Sequence, residues 1–184
     1  MGTCSMYTGK YTMNTILKIT LFVVLSSFTV PAQQATFQDS LLDHMVGKWV
    51  LHGTIAGKET THDVVAEWIL GHQYLQLREI SRETNSAGEA EYEALVFIGG
   101  DQLADRYACL WLDVTGGSGL SSAQAIGHAK RSGDSIAFLF KGSDGSIFHT
   151  TFLYDRDPNI WRWIMDGEEN GKLHSFARVK LTKK

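Results

Sequence analysis

The chain has 184 residues, 43% of them hydrophobic and 20% charged, with 18 Gly, 2 Pro, 2 Cys and a formal net charge of -3. That balance excludes a disordered chain, a collagen-like fibre, a disulfide-stapled miniprotein and a polytopic membrane protein. The length suits one domain with a substantial core.

From Met13 the sequence runs MNTILKITLFVVLSSFTVPAQQA, with Lys18 just ahead of an apolar stretch and with Val30 and Ala32 at its exit. A positive start, a short apolar centre and a small-residue exit are the layout of a secretory signal. Residues 1–32 are therefore predicted to be a signal peptide cut after Ala32, with Met13 as an alternative start, and the product to be exported, periplasmic or secreted. The apolar run falls short of the roughly 20 residues that a spanning helix needs, so no membrane span is expected after cleavage.

Cleavage leaves residues 33–184 as a single domain, 152 of the 184 residues. The removed segment holds Lys10 and Lys18 and no acid, so 17 basic residues become 15 against 20 acidic ones and the net charge moves from -3 to -5. Such a surface lacks the basic stripe that a nucleic-acid groove requires, and no nucleic-acid partner is expected. Cys109, the one cysteine left, alternates with Tyr107 and Trp111 in an apolar run. It reads as a buried, inert thiol.

A short helix is predicted first: Asp39 or Ser40 caps Leu41, Leu42, Met45 and Val46 at helical spacing until Gly47. The period then changes to two. Trp49, Leu51 and Ile55 alternate with Lys48, His52 and Thr54, and Gly57 marks a turn. Further strands are predicted over residues 62–70, 73–82, 92–98, 106–114, 123–130, 136–141, 147–154, 160–165 and 173–181, each bounded by Gly, Ser, Asn or Asp. About ten short strands with a turn every 8–12 residues or so point to an all-β meander. A sheet of that size is more stable closed than open, so the prediction is an antiparallel up-and-down barrel of about ten strands whose interior is packed or holds one small ligand.

The short helix before Gly47-Lys48-Trp49 resembles the opening of lipocalin-like, or calycin, barrels. Trp68-Ile69-Leu70-Gly71 with Tyr74-Leu75, Tyr92-Glu93-Ala94 leading to Gly99 and Asp101, Tyr107 with Trp111-Leu112-Asp113, and a basic end near Leu181 extend the likeness across the 33–184 domain. In order and spacing these pieces resemble an uncharacterised, mostly bacterial lipocalin-like family named only as a domain of unknown function. Ala94 departs from it, standing where that family tends to carry glycine. The resemblance implies a barrel in which Trp49 closes the bottom of the cavity. It carries no reaction with it.

Five residues are candidate ligand-binding side chains: Glu79, Glu93, Trp111, His149 and Trp163. Trp163 shares a strand face with Trp161 and Met165, and with Trp111 it either completes the core or walls a cavity. A hairpin centred on residues 85–88 would set Leu75, Leu77 and Glu79 opposite Phe97, Leu95 and Glu93, leaving two carboxylates facing each other. Opposed acids in low dielectric hold a proton or a cation between them, which makes an enzyme using a Glu79/Glu93 acid pair the alternative function. His149 alternates with Ile147, Thr151 and Leu153, while Phe148, Phe152 and Tyr154 occupy the equally apolar other face.

No His-x-Glu, Cys-x-x-Cys or His-Glu-x-x-His spacing occurs, so neither a metal nor a cofactor is expected. His174 loosely resembles the late histidine of nitrobindin-type haem barrels, yet by alternation it points outward unless a bulge intervenes. Gly116-Gly117-Ser118-Gly119 follows a strand and opens no helix, so it reads as a loop at the barrel mouth rather than a phosphate cradle. Strands 94–98 and 108–112 are apolar on both faces, which leaves a homodimer as a further expectation. The leading expectation is an exported barrel that binds a small apolar or amphipathic molecule.

Overall fold

The computed structural model describes Gly2 and residues 37–101, 104–116, 125–142 and 144–184. The rest of residues 1–36, which include the predicted signal peptide, and most of the glycine-rich loop, residues 117–124, lie outside the described residues. Residues Ala35–Lys184 make up one compact unit.

Alternating apolar and polar side chains put one face of each strand inward, and the turn residues between strands send the chain back on itself. The strands run in order as β1 (Gly47–Ile55), β2 (Lys58–Ile69), β3 (Tyr74–Ser81), β4 (Glu93–Asp101), β5 (Arg106–Asp113) and β6 (Ile126–Ala129). After the two-residue β7 (Arg131–Ser132) come β8 (Ser135–Lys141), β9 (Ile147–Asp155), β10 (Ile160–Glu169) and β11 (Lys172–Lys183). Neighbours in sequence are neighbours in the sheet, all antiparallel, except that β1 pairs with β11 and β6 with β8. Those two pairings close a barrel of ten strands, with β7 outside the ring and paired only to β8.

The predicted helix is a single turn, α1 (Ser40–Asp43), whose first N–H groups are capped by Asp39 Oδ1 at 2.8 and 2.9 Å. Its short length matters less than what it buries. Leu41, Leu42 and Met45 are wholly buried, and the Trp49 indole Nε1 donates to the Met45 carbonyl at 2.6 Å. The Lys183 ammonium sits 5.2 Å from the Trp49 ring centroid, on the other side of the strand seam. Trp68 Nε1 donates to Asp43 Oδ1 at 2.9 Å, and Tyr107 OH donates to Asp39 Oδ2. Burial and that contact push the Tyr107 phenol up to about 12. This end of the barrel is plugged.

The half next to the plug is packed solid by Trp49, Leu75, Phe138, Phe152, Trp161 and Trp163, all fully buried. Cys109 is buried among them as a free thiol, and burial raises its pKa. At the β1–β11 seam the backbones approach so closely that a Cβ on Gly53, at φ +148°, would stand 2.3 Å from the Arg178 carbonyl oxygen. Only glycine serves there. One irregularity interrupts the β10–β11 ladder: Met165 pairs with Ala177 and Asp166 with Ser175, so Phe176 is an extra, unpaired residue. That bulge turns Phe176 toward the open half of the barrel, where its ring meets Phe148 edge-on at 5.3 Å.

Candidate functional site

The half of the barrel away from α1 is hollow. A cavity of about 820 Å3 reaches the rim, where Gly116, Gly142 and Ser146 of the hairpin turns border it. Ligand sites commonly measure about 300–1,000 Å3. Its two sides differ in chemistry. On β8 to β11 the wall is Phe140, Phe148, Met165 and Phe176; on β2 to β5 it carries His62, Glu79, Trp111 and, just before β4, Tyr92.

The polar side is built from strand alternation. Thr60, His62, Val64 and Ala66 of β2 all point inward, and so do Leu75, Leu77, Glu79 and Ser81 of β3. Because His62 pairs with Ser81 and Val64 with Glu79, the imidazole and the carboxylate lie diagonally on one face. Their contact, His62 Nδ1 to Glu79 Oε1, is 2.5 Å long, and the two residues are only 3% and 2% exposed. His62 Nε2 lies 2.8 Å from Thr60 Oγ1, which donates to Glu83 Oε2 at 3.0 Å. The Ser81 hydroxyl donates to the same oxygen at 2.7 Å.

This chain of contacts assigns the protons. Donation from the Ser81 hydroxyl, then from the Glu83 backbone N–H, holds the Glu83 carboxyl down at about 2, with Thr60 and Thr61 adding to the effect. Ionised Glu83 only accepts, so the single Thr60 proton points to it and Thr60 Oγ1 must accept from His62 Nε2–H. A further proton then bridges His62 Nδ1 and Glu79 Oε1. What remains is Glu79 Oε2, a buried acceptor on a residue that lines the cavity, with no hydrogen-bond partner among the described residues.

Two aromatic side chains frame that oxygen's surroundings. The Tyr92 ring stacks on His62 with centroids 5.7 Å apart, its OH accepts from Trp111 Nε1 at 3.1 Å and donates to Asp113 Oδ2 at 3.4 Å. Burial first, and then the nearby Glu79 charge, holds the Tyr92 phenol well above its ordinary value. Trp111 in turn meets Trp163 edge-on at 6.3 Å. At the rim Lys58 pairs with Glu91 at 2.7 Å, and that contact raises the lysine pKa.

Of the five residues singled out by sequence, Glu79 and Trp111 line the cavity. Glu93 does not. The β3–β4 ladder sets Glu79 opposite Ala94 and Ile80 opposite Glu93, one residue away from the predicted pairing. A slip of one residue moves a side chain to the other face, so Glu93 lies outside the barrel and accepts from Arg78 at 2.8 and 3.0 Å. The predicted acid pair is therefore not formed. His149 is also on the outer face, paired with Glu168 at 2.7 Å, because Thr150, Phe152 and Tyr154 take the inward positions of β9. Trp163 is fully buried but lies outside the cavity lining, where its indole packs on Phe152 and Trp111. His174 is exposed and absent from that lining despite the bulge at Phe176.

His62 was not singled out by sequence, although it shares the parity of Val64 and Ala66. That parity was the available signal. The chain matches no protein-family model, and no curated protein matches it significantly.

The depressed Glu83 carboxyl has a pH signature. A group whose folded pKa, about 2, lies below its ordinary 4.5 stabilises the fold above that ordinary value and stops doing so as pH falls through the window between them. The Glu83→Gln variant has nothing to titrate there. In urea unfolding, the advantage of the wild type over Glu83→Gln should be present at about pH 6 and vanish toward about pH 2. An unchanged difference across that range would mean that Glu83 is not stabilised by these donors.

Proposed function

We propose that this chain is an exported, lipocalin-like barrel that binds a small apolar or amphipathic molecule in its cavity. The observation that carries the reading is the half-hollow interior of about 820 Å3, apolar on one side and carrying a few inward polar groups on the other. A packed core holding four buried aromatic rings below the cavity keeps that space from collapsing, since Phe138, Phe152, Trp161 and Trp163 have no freedom to fill it. Support for the lipocalin-like assignment comes from the closing turn at α1 and from Trp49, whose indole caps the barrel floor. Export rests on the layout of residues 13–32.

Native mass spectrometry of the purified protein and a Nile red titration test the binding reading. The expected result is a single saturable site whose dye signal is lost in Thr150→Trp, which pushes an indole from an inward, 1% exposed position into the cavity. A bare protein mass together with no dye response in the wild type would overturn it.

A further inference from the structure

We infer that the ligand is an amphipathic amine, held by an N–H donated to Glu79 Oε2. This rests on the cavity being a binding site and names the head group it reads. Glu79 is 2% exposed, lines the cavity and spends only one of its oxygens on His62. The other oxygen has no partner among the described residues. A buried acceptor left without a donor is costly, and an ionised carboxylate most of all. Whatever fills the space gains most by presenting a donor there.

The surroundings select the kind of donor. Glu79 cannot swing away to find another partner, because the His62 contact fixes it and Thr60 and Glu83 fix His62. Tyr92 and Trp111 bring electron-rich rings to the same side of the cavity, and rings beside a carboxylate favour a cationic nitrogen over an anionic head. A charged N–H also makes a stronger hydrogen bond to a carboxylate than a neutral donor does. Opposite them, Phe140, Phe148, Met165 and Phe176 offer an apolar surface for the body of the ligand. The site thus reads an amine at one wall and hydrocarbon at the other.

Calorimetric titration of the wild type with decylamine, decyltrimethylammonium and decanoate separates donor, charge and chain. The three share a tail; the second keeps the positive charge but has no N–H, and the third reverses the charge. Decylamine should bind about tenfold or more tightly than either of the others. In Glu79→Gln the amide NH2 donates to His62 Nδ1, whose ring keeps its Nε2–H on Thr60, and a neutral amide oxygen replaces the carboxylate, so decylamine should lose most of its lead over the other two. Equal or tighter binding of decyltrimethylammonium or decanoate by the wild type overturns the amine assignment while leaving cavity binding intact. Failure of all three to bind, alongside a silent Nile red titration, counts against the binding reading itself. The wild-type ranking decides the question even if Glu79→Gln does not fold.

Discussion

Replacing His62 by leucine lowers the unfolding free energy by about 3–5 kcal/mol, the cost of removing one partner from a buried, hydrogen-bonded acid–imidazole pair. The substitution keeps the volume, so the loss is not that of a cavity. It strands a carboxylate that is 2% exposed and whose second oxygen already lacks a partner among the described residues. Glu79→Leu alone removes the stranded charge and costs less. The double variant, His62→Leu with Glu79→Leu, should recover most of the stability lost in His62→Leu, because paired charges replaced by apolar groups of similar size are often close to neutral. Urea denaturation of the four proteins gives the coupling directly. A double variant no more stable than His62→Leu would show that His62 acts through packing on Tyr92 rather than through Glu79.

At the plugged end, Trp49→Ala should cost about 3–5 kcal/mol, the range for deleting a buried aromatic side chain. Two contacts converge on this ring. It is fully buried, its indole N–H ties the Met45 carbonyl at 2.6 Å, and Lys183 from the last strand stands over it at 5.2 Å. It therefore couples β1 to β11 and to the segment just after α1, which together close the barrel floor. Trp49→Phe keeps one ring in place but loses the N–H donor and the second ring, so its cost should be smaller than that of Trp49→Ala, about 1–3 kcal/mol. Urea midpoints for the two variants check the order. Equal losses would mean that the hydrogen bond, and not ring packing, holds the floor.

Most of the barrel was readable from local pattern. The predicted runs 136–141, 147–154 and 160–165 fall within β8, β9 and β10, and the turns at Gly57, Gly133 and Gly145 carry positive φ as their residue type suggests. Of the strand predicted over residues 123–130, residues 123 and 124 lie outside the described residues, and β6 covers Ile126–Ala129, short of Ala125 and Lys130. The helix reading overran as well, since the apolar spacing of Leu41, Leu42, Met45 and Val46 continues past the one turn that α1 makes. Those side chains are buried by tertiary contact with the barrel floor, which does not need the backbone to stay helical.

Half of the candidate site was legible and half was not. Glu79 and Trp111 could be found because each is a conspicuous residue on an apolar strand face. Glu93 and His149 were misplaced for a shared reason. A strand whose two faces are both apolar does not declare its inward side, and Phe148, Phe152 and Tyr154 compete with Ile147, Thr151 and Leu153 on β9. His62 was missed because its partner belongs to another strand.

Local pattern was enough for the fold class. Alternation and turn chemistry are properties of neighbouring residues, and about ten such runs in series have few ways to bury their apolar faces other than as a closed meander. Tertiary structure decided register and closure, and through them the site. Which face of β4 looks inward depends on pairing across the loop between Ser81 and Glu93, where a shift of one residue separates an acid pair from the observed Glu79 and Ala94. Likewise, the pairing of β1 with β11 joins residues at opposite ends of the domain, and no local pattern encodes a contact of that span. The buried His62–Glu79 pair, with one carboxylate oxygen left without a partner among the described residues, exists only because those long-range pairings put both side chains on the inside.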